Sequence, residues 1–142
     1  MKRQICLLSI ISWMFFSGML MIISCGKLFT LEDIYGVWKG EYFGEELIIQ
    51  FSSDSKIILT FNDIYSSSID TINGNFSMDF SKKPIPLSII NIPQLNHGLY
   101  TIVEFVEVDS IKLGNFAPNG KLRTLSFEKR KSINLKRINQ IE

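Results

Sequence analysis

Ile72-Asn73-Gly74-Asn75-Phe76-Ser77-Met78-Asp79-Phe80 is the stretch that decides the fold. Every second residue from Ile72 to Phe80 is apolar or small, and each residue between is polar. A strand points successive side chains to opposite faces, so this segment sets one greasy face against one wet face. A helix would scatter the same residues around its circumference. The segment is a β-strand half-buried in a core.

Outward from there the same two-residue period recurs. Trp38, Gly40 and Tyr42 alternate with Lys39 and Glu41, followed by Leu47, Ile49, Phe51 and by Ile57, Leu59, Phe61. Downstream, residues 87 to 90, 99 to 106, 110 to 113 and 124 to 135 read as further strands. The segment 99 to 106 is apolar on both faces, as expected where something covers its outside. Asp54-Ser55, Asp63, Asn96-His97-Gly98, Asp109 and Pro118-Asn119-Gly120 supply the turns. About eight short strands at roughly 8 to 12 residue spacing make a sandwich or a barrel. Closure into a barrel is the better solution because it leaves no edge to aggregate. The expected fold is therefore all-β, an antiparallel up-and-down barrel of about eight strands. Ahead of the first strand, Thr30-Leu31-Glu32-Asp33 has the form of a capping box, which predicts a short N-terminal helix ending before Gly36.

The N-terminus carries an address. Met1-Lys2-Arg3 is positive, an apolar run follows over residues 5 to 23, and the order reads as a secretory signal. A run of about 20 apolar residues would also span a bilayer uncleaved. Ile22-Ile23-Ser24-Cys25 resembles the bacterial lipobox: an aliphatic residue three before the cysteine, a small one just before it, then cysteine. In lipobox proteins the cysteine thiol takes a diacylglyceryl group, and the signal peptidase then cuts before it. The resemblance implies an exported lipoprotein of the cell envelope, with residues 1–24 as signal peptide and Cys25 as lipidation site. Residues 25–33 then form a short tether, residues 34–137 the barrel domain and residues 138–142 a C-terminal tail. Two or more acyl chains make a stable membrane anchor where one is reversible. By resemblance to the lipoprotein sorting rule of enteric bacteria, Gly26 rather than aspartate after the cysteine implies the outer membrane, if the source has one.

Removing 24 residues from 142 leaves 118, one small domain. The chain is 46% hydrophobic, a figure the apolar N-terminus inflates. Lys and Arg number 15 against 14 Asp and Glu, so net charge argues for no polyanionic partner and no nucleic acid. The distribution is uneven: residues 121 to 142 hold seven basic and two acidic side chains, residues 25 to 120 six and twelve. Either oppositely charged strands lie side by side, or the basic run faces anionic lipid at about 1 kcal/mol per residue. With Cys6 in the leader and Cys25 lipidated, no thiol remains for a disulfide, a metal or a nucleophile.

Gly36-Val37-Trp38 at the start of the first strand resembles the Gly-x-Trp signature of lipocalin-like (calycin) barrels. Further on come Gly74-Asn75-Phe76, Ser81-Lys82-Lys83-Pro84, Leu99-Tyr100, Asp109-Ser110-Ile111-Lys112-Leu113, Ala117-Pro118-Asn119-Gly120-Lys121 and Leu135-Lys136-Arg137. In that order they resemble an uncharacterised bacterial lipocalin-like domain family, over about residues 34 to 137. The resemblance implies that Trp38 closes one end of the barrel against a basic residue of the last strand, for which Arg137 is the candidate. Gly36, Trp38 and Arg137 are thus structural residues.

Enzymatic chemistry lacks its parts. His97 is the lone histidine and sits in an expected turn, and Glu45-Glu46 and Glu104/Glu107 fall at turns or outward positions. Gly36, Gly40 and Gly44 are spaced along a strand and open no phosphate-binding helix. The sequence asks for no cofactor and no metal. What it offers is an interior. Trp38, Tyr42, Phe51, Phe61, Phe76, Met78 and Phe80 would line an apolar pocket for a small hydrophobic ligand, with Gly40 and Gly74 leaving room. The same residues equally fill the core of a small barrel. In that case the outer face or loops would bind another envelope protein, and either glycine would mark a bend needed for closure.

Overall fold

The computed structural model describes residues 28–63, 69–128 and 131–138. It contains β1 (Gly36–Tyr42), β2 (Glu45–Phe51), β3 (Lys56–Asn62), β4 (Ile69–Met78), β5 (Ile85–Ile90), β6 (Leu99–Glu107), β7 (Ser110–Leu113) and β8 (Ile133–Ile138). Each strand pairs antiparallel with the next, and β8 returns to β1, closing an eight-stranded barrel in chain order. The all-β reading holds. Among the described residues the only helical pieces are two 3-10 turns, Leu31–Ile34 and Gly120–Leu122.

The alternation seen in the sequence sets the register. Ile72 lies opposite Leu59 and Gly74 opposite Ile57, while Phe76 faces Ile89 and Met78 faces Leu87. The inner phase of every strand thereby meets in one core, in which Trp38, Leu47, Ile49, Leu59, Leu87 and Leu135 are completely buried. A one-residue slip anywhere would turn such side chains to water, at about 1.5–3 kcal/mol each.

The capping-box segment forms a single 3-10 turn, Leu31–Ile34, within the short helix expected before Gly36. The Asp33 carboxylate accepts the Thr30 backbone N–H at 2.9 Å and the Thr30 hydroxyl at 3.1 Å. Gly36, in the left-handed region at φ 123°, then redirects the chain into β1.

Two expectations are corrected. Phe80 lies beyond the end of β4, in the turn to β5, and is half-buried there. Residues 124 to 135 are not one strand: β8 begins only at Ile133. The preceding connection from residue 114 instead continues beside β6 as far as Ala117 and then lays Arg123 over the outer face of β5 and β6. Ala117 pairs with Tyr100, the Gly114 N–H donates to the Ile102 carbonyl at 2.9 Å, and Arg123 donates to the Ser88 hydroxyl at 2.6 Å. Pro118-Asn119-Gly120 turns the chain within this flap, with Asn119 Oδ1 accepting from the N–H groups of Lys121 and Leu122. The flap is what covers the outer face of β6, leaving Ile102 only 2% exposed.

Chain direction distributes the connections. The N-terminal turn and the β2–β3, β4–β5 and β6–β7 turns gather at one end, and the other four connections gather at the opposite end. We call these the plugged end and the mouth.

Candidate functional site

The plugged end is built around Arg137. Its register places it opposite Trp38, and its guanidinium carbon stands 4.3 Å from the Trp38 ring centroid. The same guanidinium donates to the carbonyls of Asp33 and Tyr35, while Nε pairs with Asp109 Oδ1 at 3.0 Å. Trp38 Nε1 donates to the Ile34 carbonyl at 2.7 Å. A 3-10 turn ends with carbonyls that have no partner inside it. Here three successive ones are taken by Arg137 and Trp38, which fastens the turn over the barrel as a plug. Gly36 is required twice, by its positive φ and because a Cβ there would lie 3.0 Å from Arg137 Nη1. Phe29 adds a further layer, stacked on Phe105 at 4.3 Å, and Phe105 meets Trp38 edge-on at 6.5 Å.

The seven inward aromatic and methionine candidates all lie in or against one hydrophobic core, spread along its length. Trp38, Phe51 and Phe76 are buried in the core, and Phe51 meets Phe76 edge to face at 5.0 Å. Met78 and Phe80 pack half-buried near the plugged end. Tyr42 and Phe61 belong to the mouth, 6.1 Å apart. The glycines between them leave no room. A Cβ on Gly40 would meet the Asn134 carbonyl oxygen at 2.4 Å and Leu135 Cδ2 at 2.5 Å. One on Gly74 would meet the Ile90 carbonyl oxygen at 2.9 Å and Ile89 Cγ2 at 3.0 Å. Neighbouring strands have moved into the missing side-chain volume, so these are sites of close approach.

The mouth carries the exposed chemistry. Tyr42 is its centre, 6.1 Å from both Phe61 and Phe116 and 4.6 Å from Phe43. Burial among these rings pushes the Tyr42 phenol above its ordinary pKa. Phe43 and Gly44 form the two-residue turn between β1 and β2 with φ 51° and 87°. Twist matching favours that left-handed pair in a hairpin, but Asn, Asp or Gly is the usual first residue. Phe43 is instead bulky and 75% exposed. Beside it opens a cleft of about 210 Å³ between this hairpin and the last part of the β7–β8 connection, lined by Glu41, Tyr42, Phe43, Asn115 and Lys131.

Among the described residues the basic run is divided between the β7–β8 connection and β8. Lys121, Arg123 and Lys131 lie in the β7–β8 connection, with Lys131 paired to Glu128 at 3.0 Å and Arg123 5.5 Å from the Tyr100 ring. Of the carboxylates read as solvated, Glu104 and Glu107 are exposed and Glu45 is half-buried, while Glu46 pairs with Lys39 across β1 and β2 and its pKa is lowered by that ammonium. His97 Nδ1 lies 2.9 Å from the Gly98 carbonyl in the β5–β6 loop. Among the described residues no three His, Cys, Asp or Glu side chains gather as metal ligands, and no helix is long and apolar enough to cross a membrane. The apolar leader and Cys25 lie outside the described residues.

Sequence reasoning misses Phe43, Phe116 and Phe29, and reads Asp109 as a turn residue without its pairing to Arg137. Phe29 and Phe116 sit outside any alternating run, where periodicity carries no signal. Phe43 is hidden because its position is a turn by geometry and a strand residue by type. Comparison with protein families, with curated proteins and with solved structures finds no match to this chain, so its function is argued from this geometry.

Proposed function

We propose that the chain is an envelope lipoprotein, anchored through Cys25, whose lipocalin-like barrel is a packed scaffold presenting its mouth to another envelope protein. The observation that carries this reading is Phe43. A large apolar side chain held in the left-handed region costs about 1–2 kcal/mol, and such strain concentrates where function requires it. Exposed aromatic anchors dominate protein interfaces, and this one is rigidly placed by a tight turn. The close packing over Gly40 and Gly74 supports a scaffold over a ligand carrier. The lipobox-like Ile22-Ile23-Ser24-Cys25 supports the anchor.

The test is a photo-crosslinking phenylalanine analogue at position 43 of the full-length protein, irradiated in its native envelope membranes, with the same analogue at Lys112 on the barrel wall as control. A single discrete protein adduct from position 43, absent from position 112, is the expected result. No adduct at position 43 removes the reading.

A second reading, carriage of a small hydrophobic molecule, draws support from the half-buried ring of Tyr42, Phe61 and Phe116 at the mouth. Native mass spectrometry with a fatty acid or retinoid probe separates the two: stoichiometric uptake supports carriage, and an empty barrel supports the scaffold.

A further inference from the structure

The plugged end leaves large apolar side chains in solvent. Leu28 is 82% exposed, Val106 58%, Val108 48%, and Leu31 and Ile138 38% each. The interactions that build this end bring their segments together. Phe29 stacks on Phe105, and Leu28 lies in the same cleft as Phe105, the residue before Val106. Arg137 donates to the carbonyls of Asp33 and Val108, so the turn carrying Leu31 and the loop carrying Val108 both close on the strand end that carries Ile138.

Charge does not explain this patch. Glu32, Glu107 and Asp109 are exposed around it, Arg137 is engaged by Asp109, Lys82 nearby pairs with Asp79 at 3.2 Å, and exposed Lys83 lines the cleft beside Leu28, so the charges here are of both signs. What selects the occupant is where the chain leads. Leu28 is three residues from Cys25, a reach of at most about 11 Å even fully extended. If Cys25 carries acyl chains, which is the part of the proposed function this step rests on, the bilayer begins within that distance of the patch. A soluble partner has no space to enter the gap.

We propose that the plugged end docks on the phospholipid interface through Leu28, Leu31, Val106, Val108 and Ile138. The barrel then stands on Trp38 and Arg137 and holds Phe43 away from the membrane. The docking is apolar, made by side chains entering the headgroup and acyl boundary as interfacial helices do, and it is independent of lipid charge.

The experiment places a nitroxide on the acylated full mature chain, through Val108→Cys or Val106→Cys at the plugged end and Asn96→Cys at the mouth. Each sample is reconstituted in phosphatidylcholine vesicles, and intact mass reports the lipid on Cys25. Labels at 106 and 108 are expected to be relaxed more by oxygen than by a water-soluble nickel chelate, and the label at 96 the reverse. Added phosphatidylglycerol, or salt at about 1 M where the Debye length is about 3 Å, should change neither. If all three labels meet the chelate equally while Cys25 is lipidated, docking is wrong and the anchor stands. Release of the plugged end from the vesicle surface in high salt overturns the apolar mode. An unmodified Cys25 overturns the anchor and the docking with it.

Discussion

Arg137 and Trp38 face each other across the seam where the last strand meets the first, with the guanidinium carbon 4.3 Å from the indole centroid. The pair is more than a cation over a ring. Both members also bind carbonyls of the 3-10 turn, so barrel closure and plug attachment depend on the same two side chains. Arg137→Ala would leave buried carbonyls unpaired and remove the cation–π interaction, a loss of about 3 kcal/mol. Arg137→Lys keeps the charge but not the fork of donors, and should recover less than half of it. Urea denaturation of the chain from residue 28 onward measures both. Equal stability of all three proteins would show that Arg137 is ornamental.

Two glycines separate packing from backbone strain. Gly40→Ala puts a methyl against the Asn134 carbonyl and Leu135, atoms of a paired strand that cannot yield, and should cost about 3 kcal/mol or more. Gly44→Ala meets nothing within 4 Å and suffers only from its φ of 87°, so about 1 kcal/mol is expected. Thermal melts of the two variants, read side by side, check the order; a milder Gly40→Ala would mean that the β1–β8 seam is looser than described.

Phe43→Asn replaces a strained aromatic by a residue that tolerates the left-handed region. Its ring packing on Tyr42 is largely solvent-exposed and contributes little against that strain. Stability should rise by about 0.5–1 kcal/mol. A rise in midpoint together with loss of partner binding is the signature of strain kept for function, and a fall in midpoint would show that the ring is structural.

The pH dependence has two limbs with defined signs. Asp79 is held below its ordinary pKa by the Ser81 hydroxyl and then Lys82, Asp54 by Lys56, and Glu46 by Lys39. A lowered folded pKa contributes stability above the unfolded value, near 4, that is lost as pH falls through the folded value. Tyr42 is shifted the other way by burial. Its contribution is complete below the unfolded value near 10 and is lost as pH rises toward the folded one. Melting temperature should therefore hold across neutral pH and fall at both extremes. Asp79→Asn should flatten the acid limb and Tyr42→Phe the alkaline one; limbs unmoved by either substitution would refute the assignment.

Much of the barrel is legible because a half-buried strand must alternate, as residues 72 to 78 do, and because residues opposite each other across a pair share a face. The plug is legible in part. Thr30-Leu31-Glu32-Asp33 announces a turn, and the Gly-x-Trp resemblance points to Arg137, but nothing local announces Phe29 or the pairing of Asp109 with Arg137, since the partners lie far along the chain. The end of the β7–β8 connection reads as strand because Leu125 and Phe127 alternate with Thr124 and Ser126. The flap ahead of it is held on β5 and β6 by a few loop hydrogen bonds that leave no periodic trace. Gly40 and Gly74 are legible as special positions, though whether they leave space or admit a neighbouring strand depends on how closely the strands approach.

The most direct test of the account is the native mass of the protein extracted from its own membrane. It predicts a chain beginning at an acylated Cys25, with no further small molecule bound. A chain that keeps residues 1–24 with Cys25 unmodified, or a barrel that arrives with a stoichiometric apolar ligand inside, would contradict it.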